Sequence, residues 1–141
     1  MSIKHKYSLK VKNYDIDSYG HVNSANYLHY LEDARTAFLE EMGISIKDLL
    51  IQGITIFLAD ISVQFKKQAL LGDQLDIYGW YEEVKRVKLR WRQEIFNNQT
   101  GELIAVARTS GAFLKDGKII PIPLPIREKM LTYAENKETC V

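Results

Sequence analysis

The residues best suited to chemistry lie in the run Asp15-Ile16-Asp17-Ser18-Tyr19-Gly20-His21-Val22-Asn23-Ser24, where carboxylates precede a glycine turn and the start of a helix. A carboxylate held close to the free backbone N–H groups of a helix start combines a reactive oxygen with a place for developing negative charge. That arrangement can do acyl chemistry. Asp before Gly is also an ordinary turn former, so the residues alone leave Asp17 open to a purely capping role. Asp15, two residues earlier, points the same way as Asp17 if the segment is extended.

These residues need a helix behind them and strands around it. Asn23 or Ser24 can cap a helix whose Leu28, Leu31, Ala34, Arg35, Phe38 and Met42 recur at helical spacing before Gly43. The apolar side is broad, so the helix is expected to be mostly enclosed by a sheet. Tyr7, Leu9 and Val11 alternate with polar residues over Ile3 to Val11, the pattern of a half-buried strand. After a helical turn near Ser45 to Leu50, strands are expected over Thr55 to Phe65, Leu75 to Tyr81, Val84 to Phe96 and Leu103 to Lys115. A last short helix is expected over Ile126 to Tyr133, following Pro121, Pro123 and Pro125. One strand, one long helix and then a run of antiparallel strands is an α+β order, not repeated βαβ units.

At 141 residues, 46% hydrophobic and 26% charged, the chain fits a single domain over 1–141 with a real core and a polar tail from about residue 131. A net charge of +1 argues against a protein built around nucleic acid. The lone Cys140 excludes an internal disulfide and a cysteine-rich metal site, so no metal is expected and a reducing, cytoplasmic location fits. No segment has the form of a signal peptide or the length of a membrane span.

The string from Asp17 to Arg35, with its Gly20-His21-Val22-Asn23 turn, Tyr27-Leu28 pair and Glu32-Asp33-Ala34-Arg35 tail, closely resembles the signature of the hotdog-fold acyl-CoA thioesterases of the 4-hydroxybenzoyl-CoA thioesterase type. Gln68-Ala69-Leu70-Leu71-Gly72-Asp73 is similar to that family's later Pro-Ala-x-x-Gly-Asp turn, with Gln replacing Pro. The resemblance implies an antiparallel sheet wrapped around the long helix. It also implies two subunits sharing a continuous sheet, as a homodimer or homotetramer, with active sites at the subunit interface. The implied reaction is hydrolysis of an acyl-CoA or acyl-carrier-protein (acyl-ACP) thioester to free acid and thiol, needing no cofactor beyond the CoA of the substrate.

Within that reading Asp17 is the nucleophile or general base and the Ser24 backbone amide is the oxyanion donor. His21 is auxiliary. Asn23 and Asn26 are expected to satisfy backbone groups at the helix start, and Glu32 with Arg35 to form an ion pair bracing the helix. Tyr27 lines the acyl pocket or belongs to the core. Arg86, Lys88, Arg90 and Arg92 fall on one face of the Val84 to Phe96 strand, able to hold CoA phosphates or an acidic carrier protein; a plain solvated face is the alternative. One branch of the family has Tyr and His where this chain has Asn13 and Ser24, so those auxiliary roles do not transfer. The nearer likeness is to plant acyl-lipid thioesterases and bacterial relatives, which implies a fatty acyl group. A hotdog-fold hydratase or dehydratase, or a non-catalytic acyl-CoA-binding module, are the competing functions.

Overall fold

In the computed structural model, which describes residues 3–135, alternation along the chain becomes a sheet and apolar stripes become its covering helix. Cys140 and the end of the polar tail lie outside the described residues. The elements run β1 (His5–Lys10), α1 (Ser24–Glu41), α2 (Ile46–Ile51), β2 (Ile54–Phe65), β3 (Gln74–Val84), β4 (Leu89–Asn97), β5 (Leu103–Lys115), β6 (Lys118–Ile120) and α3 (Leu124–Leu131). A 3-10 turn at Asn13–Asp15 separates β1 from the loop before α1. The sheet is antiparallel, in the order β1-β3-β4-β5-β2, with β6 hairpinned onto β5.

Both ends of α1 are set by local chemistry. Asn23 accepts a hydrogen bond from the Ala25 N–H, filling one of the orphan donors of the first turn. At the other end Gly43 takes φ 74°, and the Gly43 and Ile44 N–H groups return to the carbonyls of Glu40 and Leu39. This Schellman closure needs a left-handed residue and ends the helix there. Tyr27, Tyr30, Leu31, Ala34 and Phe38 form the buried stripe. It meets two apolar clusters, one around Leu31, Ile77 and Ile95 and the other around Phe38, Trp91 and Phe113.

Four features depart from the sequence pattern. The expected strand from Val84 to Phe96 is broken: β3 continues through Val84, Lys85 to Lys88 form a turn closed by the Lys85 N–H on the Lys88 carbonyl, and β4 begins at Leu89. β6 was not expected, and α3 starts two residues before its expected position. In β2 a bulge between Leu58 and Asp60 breaks the alternation. Beside it, Gly111 lies so close to β2 that a Cβ there would sit 2.4 Å from the Phe57 carbonyl oxygen.

The two sheet edges differ. β1 carries lysines at positions 6 and 10, which disfavour pairing with another strand. β2 has no lysine and exposes Phe57, Leu58, Ile61 and Phe65. Among the described residues no helix is long and apolar enough to cross a membrane.

Across the β1–β3 pair, buried Asp76 accepts hydrogen bonds from the Ser8 hydroxyl (2.6 Å) and the Asn98 amide (2.8 Å), with the Lys6 ammonium 3.7 Å away. Burial pushes its carboxyl up, but these donors and the Lys6 charge outweigh it and hold the group below the ordinary 3.8. The unfolded chain therefore binds the extra proton, and the contribution is complete above about pH 3.8 and lost as pH falls through the lower folded value. Asp76→Ala is expected to lower unfolding free energy by about 1–3 kcal/mol at neutral pH, because the buried carboxylate's hydrogen bonds from Ser8 and Asn98 are lost, while those two exposed residues regain water as a partner. Urea titrations at neutral pH and near pH 3 check this, with the gap to the unsubstituted protein narrowing in acid.

Candidate active site

The loop before α1 is a tight reversal. Ile16 and Val22 form an antiparallel bridge, the Asp17 N–H bonds the His21 carbonyl at 2.9 Å, and the Gly20 N–H returns to the Asp17 carbonyl at 3.1 Å. Gly20 supplies the positive φ, 80°, that the turn requires. The Asp17 side chain is exposed, and its Oδ1 accepts from the Tyr19 N–H at 2.9 Å. Asp17 is thus a turn former, as its sequence context allows, while Oδ2 has no hydrogen-bond donor among the described residues. Two residues past the bridge, the Ser24 N–H opens α1 and likewise has no acceptor among the described residues. A carboxylate oxygen and an unfilled helix donor therefore belong to one short segment.

A second loop fixes the first. The Val22 N–H bonds the Ala69 carbonyl (2.9 Å), His21 bridges Leu70, and the Tyr27 hydroxyl accepts the buried Ala69 N–H at 2.9 Å. Burial raises the Tyr27 phenol pKa, and the Ala69 N–H partly offsets it. The Asp73 carboxylate accepts the Leu70 N–H, closing the turn in which Gly72 takes φ 86°. Tyr27 is thus core, with its hydroxyl committed to the loop, and it does not line the cavity between α1, α2 and β2. His21 is half-buried, and its ring makes no hydrogen bond among the described residues.

Asp15 and Asp17 do not act as a pair along an extended segment. Asp15 ends the 3-10 turn, where its carboxylate accepts the Lys12 N–H at 3.0 Å. The buried Tyr30 phenol pKa is raised by burial first and then by Asp15. Asn26 donates to the Asp15 carbonyl at 2.7 Å, so Asn23 and Asn26 both satisfy backbone groups as expected.

The Glu32–Arg35 ion pair does not form. Glu32 is exposed, and Arg35 turns inward to donate to the Gln93 side chain at 3.3 Å, while Gln93 donates to the Leu31 carbonyl at 3.0 Å. The basic stripe is also divided. Arg86 and Lys88 are exposed on the β3–β4 turn, whereas Arg90 and Arg92 are half-buried on β4 and Arg92 is paired with Glu94. The turn carries no Gly or Pro to signal it in sequence.

A cavity of about 350 Å³ opens between the C-terminal half of α1, α2 and the first half of β2. Leu39, Leu49 and Ile56 give it an apolar wall, to which Arg35 and Trp91 also contribute. Sequence reasoning did not assign these residues to a site. The available signal was an arginine at stripe spacing, between Leu31 and Phe38. Among the described residues no group of three His, Cys, Asp or Glu side chains is arranged to hold a metal ion.

Tyr27→Phe leaves the Ala69 N–H buried without an acceptor and should cost about 1–3 kcal/mol of stability. Denaturant titration measures the cost, and faster amide exchange at Ala69 and Val22 would localise it to the clamp between the two loops.

Comparison with known proteins agrees with this architecture. Residues 11–131 match the thioesterase-like superfamily. The long-chain acyl-CoA thioesterase FadM of Escherichia coli is 29% identical over 86% of this chain and 93% of its own length. The chloroplastic acyl-acyl carrier protein thioesterase ATL3 of Arabidopsis thaliana is 27% identical over 94% of this chain and 70% of its own. The crystal structure of a hypothetical protein from Aquifex aeolicus superposes with a TM-score of 0.84 at 27% identity, covering 89% of this chain and 98% of that one. The antiparallel sheet wrapped on α1 is the hotdog fold, and with a match spanning residues 11–131 the chain belongs to the thioesterase-like superfamily.

Proposed function

We propose that this protein hydrolyses a fatty acyl thioester of CoA or of an acyl carrier protein, with Asp17 as the reacting carboxylate. The observation that carries the reading is the segment Asp17–Ser24, where one carboxylate oxygen and the first N–H of α1 both lack partners among the described residues. A thioester carbonyl is electrophilic and its thiolate leaves readily. Asp17 Oδ2 either attacks the carbonyl or takes the proton of a water that does. Negative charge then collects on the carbonyl oxygen, where the Ser24 N–H and the positive end of the α1 dipole oppose it. The thiolate departs as the carbonyl reforms, giving the free acid directly when water attacked, or an acyl anhydride on Asp17 that a water then hydrolyses to the acid and the free carboxylate. The relatives named as acting on long-chain acyl-CoA and on acyl-ACP support the substrate class. His21 remains an auxiliary group at the turn.

Two copies are proposed to act together. β2 is an apolar edge strand without lysines. Twofold antiparallel pairing of β2 with its copy would cover Phe57, Leu58, Ile61 and Phe65 and continue the sheet. The Asp17 end of α1 lies toward the end of β2, where the Tyr27 and Phe65 rings are 5.1 Å apart. The cavity lies toward its beginning, at Ile54–Leu58. Pairing the strands in opposite directions thus brings one copy's Asp17 toward the other's cavity. Arg86 and Lys88 occupy the same end of the sheet as Ile54, which pairs with Lys115. There they suit CoA phosphates or an acidic carrier protein.

Asp17→Asn is expected to reduce thiol release from long-chain acyl-CoA by at least about a hundredfold with the fold intact. Equal rates for both proteins on every CoA and carrier-protein thioester would end the enzyme reading and leave an acyl-CoA-binding module. Single-turnover hydrolysis in heavy-oxygen water separates the routes, since only attack by Asp17 itself transfers unlabelled oxygen into the first product.

In sedimentation velocity the protein is expected to run as a dimer or larger, and Phe57→Asp combined with Ile61→Asp is expected to yield a monomer with little thiol release. A fully active monomer would contradict the shared site.

A further inference from the structure

Positive charge gathers at the end of the sheet where β2 begins. The β3–β4 turn carries Lys85, Arg86 and Lys88, and the loop from β5 to β6 carries Lys115, Asp116 and Lys118, all exposed. Five cations thus stand with one carboxylate on a chain whose formal total is +1, so the remainder of the sequence is net acidic. Lys85 lies 3.8 Å from Glu83. Arg86, Lys88, Lys115 and Lys118 make no ion pair and no side-chain hydrogen bond among the described residues.

The backbone joins the two turns into one surface. β2 pairs with Phe113–Lys115 along one side of β5, so β6, which pairs with the same three residues, takes the side that β4 occupies up to Gly111. Beyond β6 the Ile122 N–H bonds the Arg86 carbonyl at 2.9 Å. Ile119 on β6 and Leu124, the first residue of α3, flank that tie and are 63% and 62% exposed. The cations therefore surround two bare aliphatic side chains, the composition of an interface with an apolar centre and a charged rim.

The arrangement distinguishes a protein from a small anion. Phosphate recognition draws on donors held in converging geometry and gains nothing from aliphatic neighbours. Here the unpaired cations are spread over two turns, and no side-chain contact pins them. That spread matches an extended acidic surface, whose carboxylates meet the cations one by one.

We propose that this surface docks the acidic carrier protein of an acyl-carrier thioester, with Ile119 and Leu124 as its apolar contacts. The proposal rests on the thioesterase reading above and commits the open choice of thiol carrier to a protein. The position suits delivery of the acyl group, because Ile54, which lines the cavity, pairs with Lys115 in the same surface. Docking there raises affinity and encounter rate and takes no part in the chemistry at Asp17.

The test compares dodecanoyl-CoA with the dodecanoyl thioester of a bacterial acyl carrier protein at low and at physiological ionic strength. In the unsubstituted protein the carrier thioester is expected to exceed dodecanoyl-CoA by about tenfold or more in kcat/KM at low salt, with the advantage shrinking as salt rises. Lys115→Glu combined with Lys118→Glu is expected to raise KM for the carrier thioester about tenfold, while kcat/KM for dodecanoyl-CoA at physiological salt changes less than about threefold. Ile119→Ser combined with Leu124→Ser is expected to raise the carrier KM as well, by a factor that salt does not alter. An equal fall on both thioesters in the charge variant overturns the proposal in favour of a site for CoA phosphates. So does a carrier KM that neither variant moves. No carrier preference, together with binding to phosphatidylglycerol vesicles that both variants lose, overturns it in favour of a lipid surface. If the protein releases no thiol from either thioester, the hydrolase reading has failed, and calorimetry with the carrier protein lacking its acyl group decides the surface separately. Saturable binding that the charge variant abolishes supports docking; no binding, or binding the variant retains, overturns it.

Discussion

The site depends on a clamp between two loops that are far apart in sequence. Ala69 gives its carbonyl to the Val22 N–H and its own N–H to the Tyr27 hydroxyl, so both of its backbone groups are engaged by the segment around the helix start. Because Ala69 is fully buried, neither group has water as an alternative partner, and opening the clamp would leave both unsatisfied. The turn that carries Asp17 is held on the chain side by Gly20 and on the far side by this clamp. Tyr27 belongs to α1, so the same contact also fixes the helix relative to the turn. The orientation of the carboxylate and of the first helical N–H therefore follows from one shared anchor.

What the sequence made legible was local. Asn23 and Gly43 mark the two ends of α1 because capping depends on residues within one turn of the helix end, and the structure uses both. The alternation of β1 and the Gly72-Asp73 turn are visible for the same reason. The Lys85–Lys88 turn was not legible, since none of its residues has a turn preference strong enough to interrupt an alternating pattern. Arg35 shows the limit for the site. A glutamate three residues away implied a surface pair, but the partner it takes is Gln93, 58 residues distant, and only the packing of α1 on β4 brings that amide within reach. The buried indole N–H of Trp91, without an acceptor among the described residues, is of the same kind, because an absent acceptor has no signature in a chain. Asp17 stood out in sequence, and its bond from the Tyr19 N–H shows the turn-forming reading on Oδ1, while Oδ2 has no donor among the described residues.

The two edges of the sheet express different uses of the same geometry. Lysines on β1 keep a strand edge from recruiting another chain, whereas β2 has apolar residues on both faces and one acidic residue, Asp60, at its bulge. The bulge raises local twist and lets Gly111 pass close beneath Phe57, so the edge is shaped as well as uncharged. An apolar edge of this length carries a risk of unwanted association, and its retention fits a surface meant to be covered.

The roof over the cavity is α2, six residues long, capped by Ser45 and anchored inward by Leu49. It hangs between the Gly43 closure of α1 and the first residue of β2, and its boundaries are set by contacts that do not involve the Asp17 turn. Lengthening, shortening or re-siding this segment would change the depth of the chamber while leaving the reactive turn and the sheet in register. Under the proposed reaction, the fold would thus separate the Asp17 turn from the chamber that receives the acyl group, and a change in acyl preference would have a short stretch of chain in which to occur.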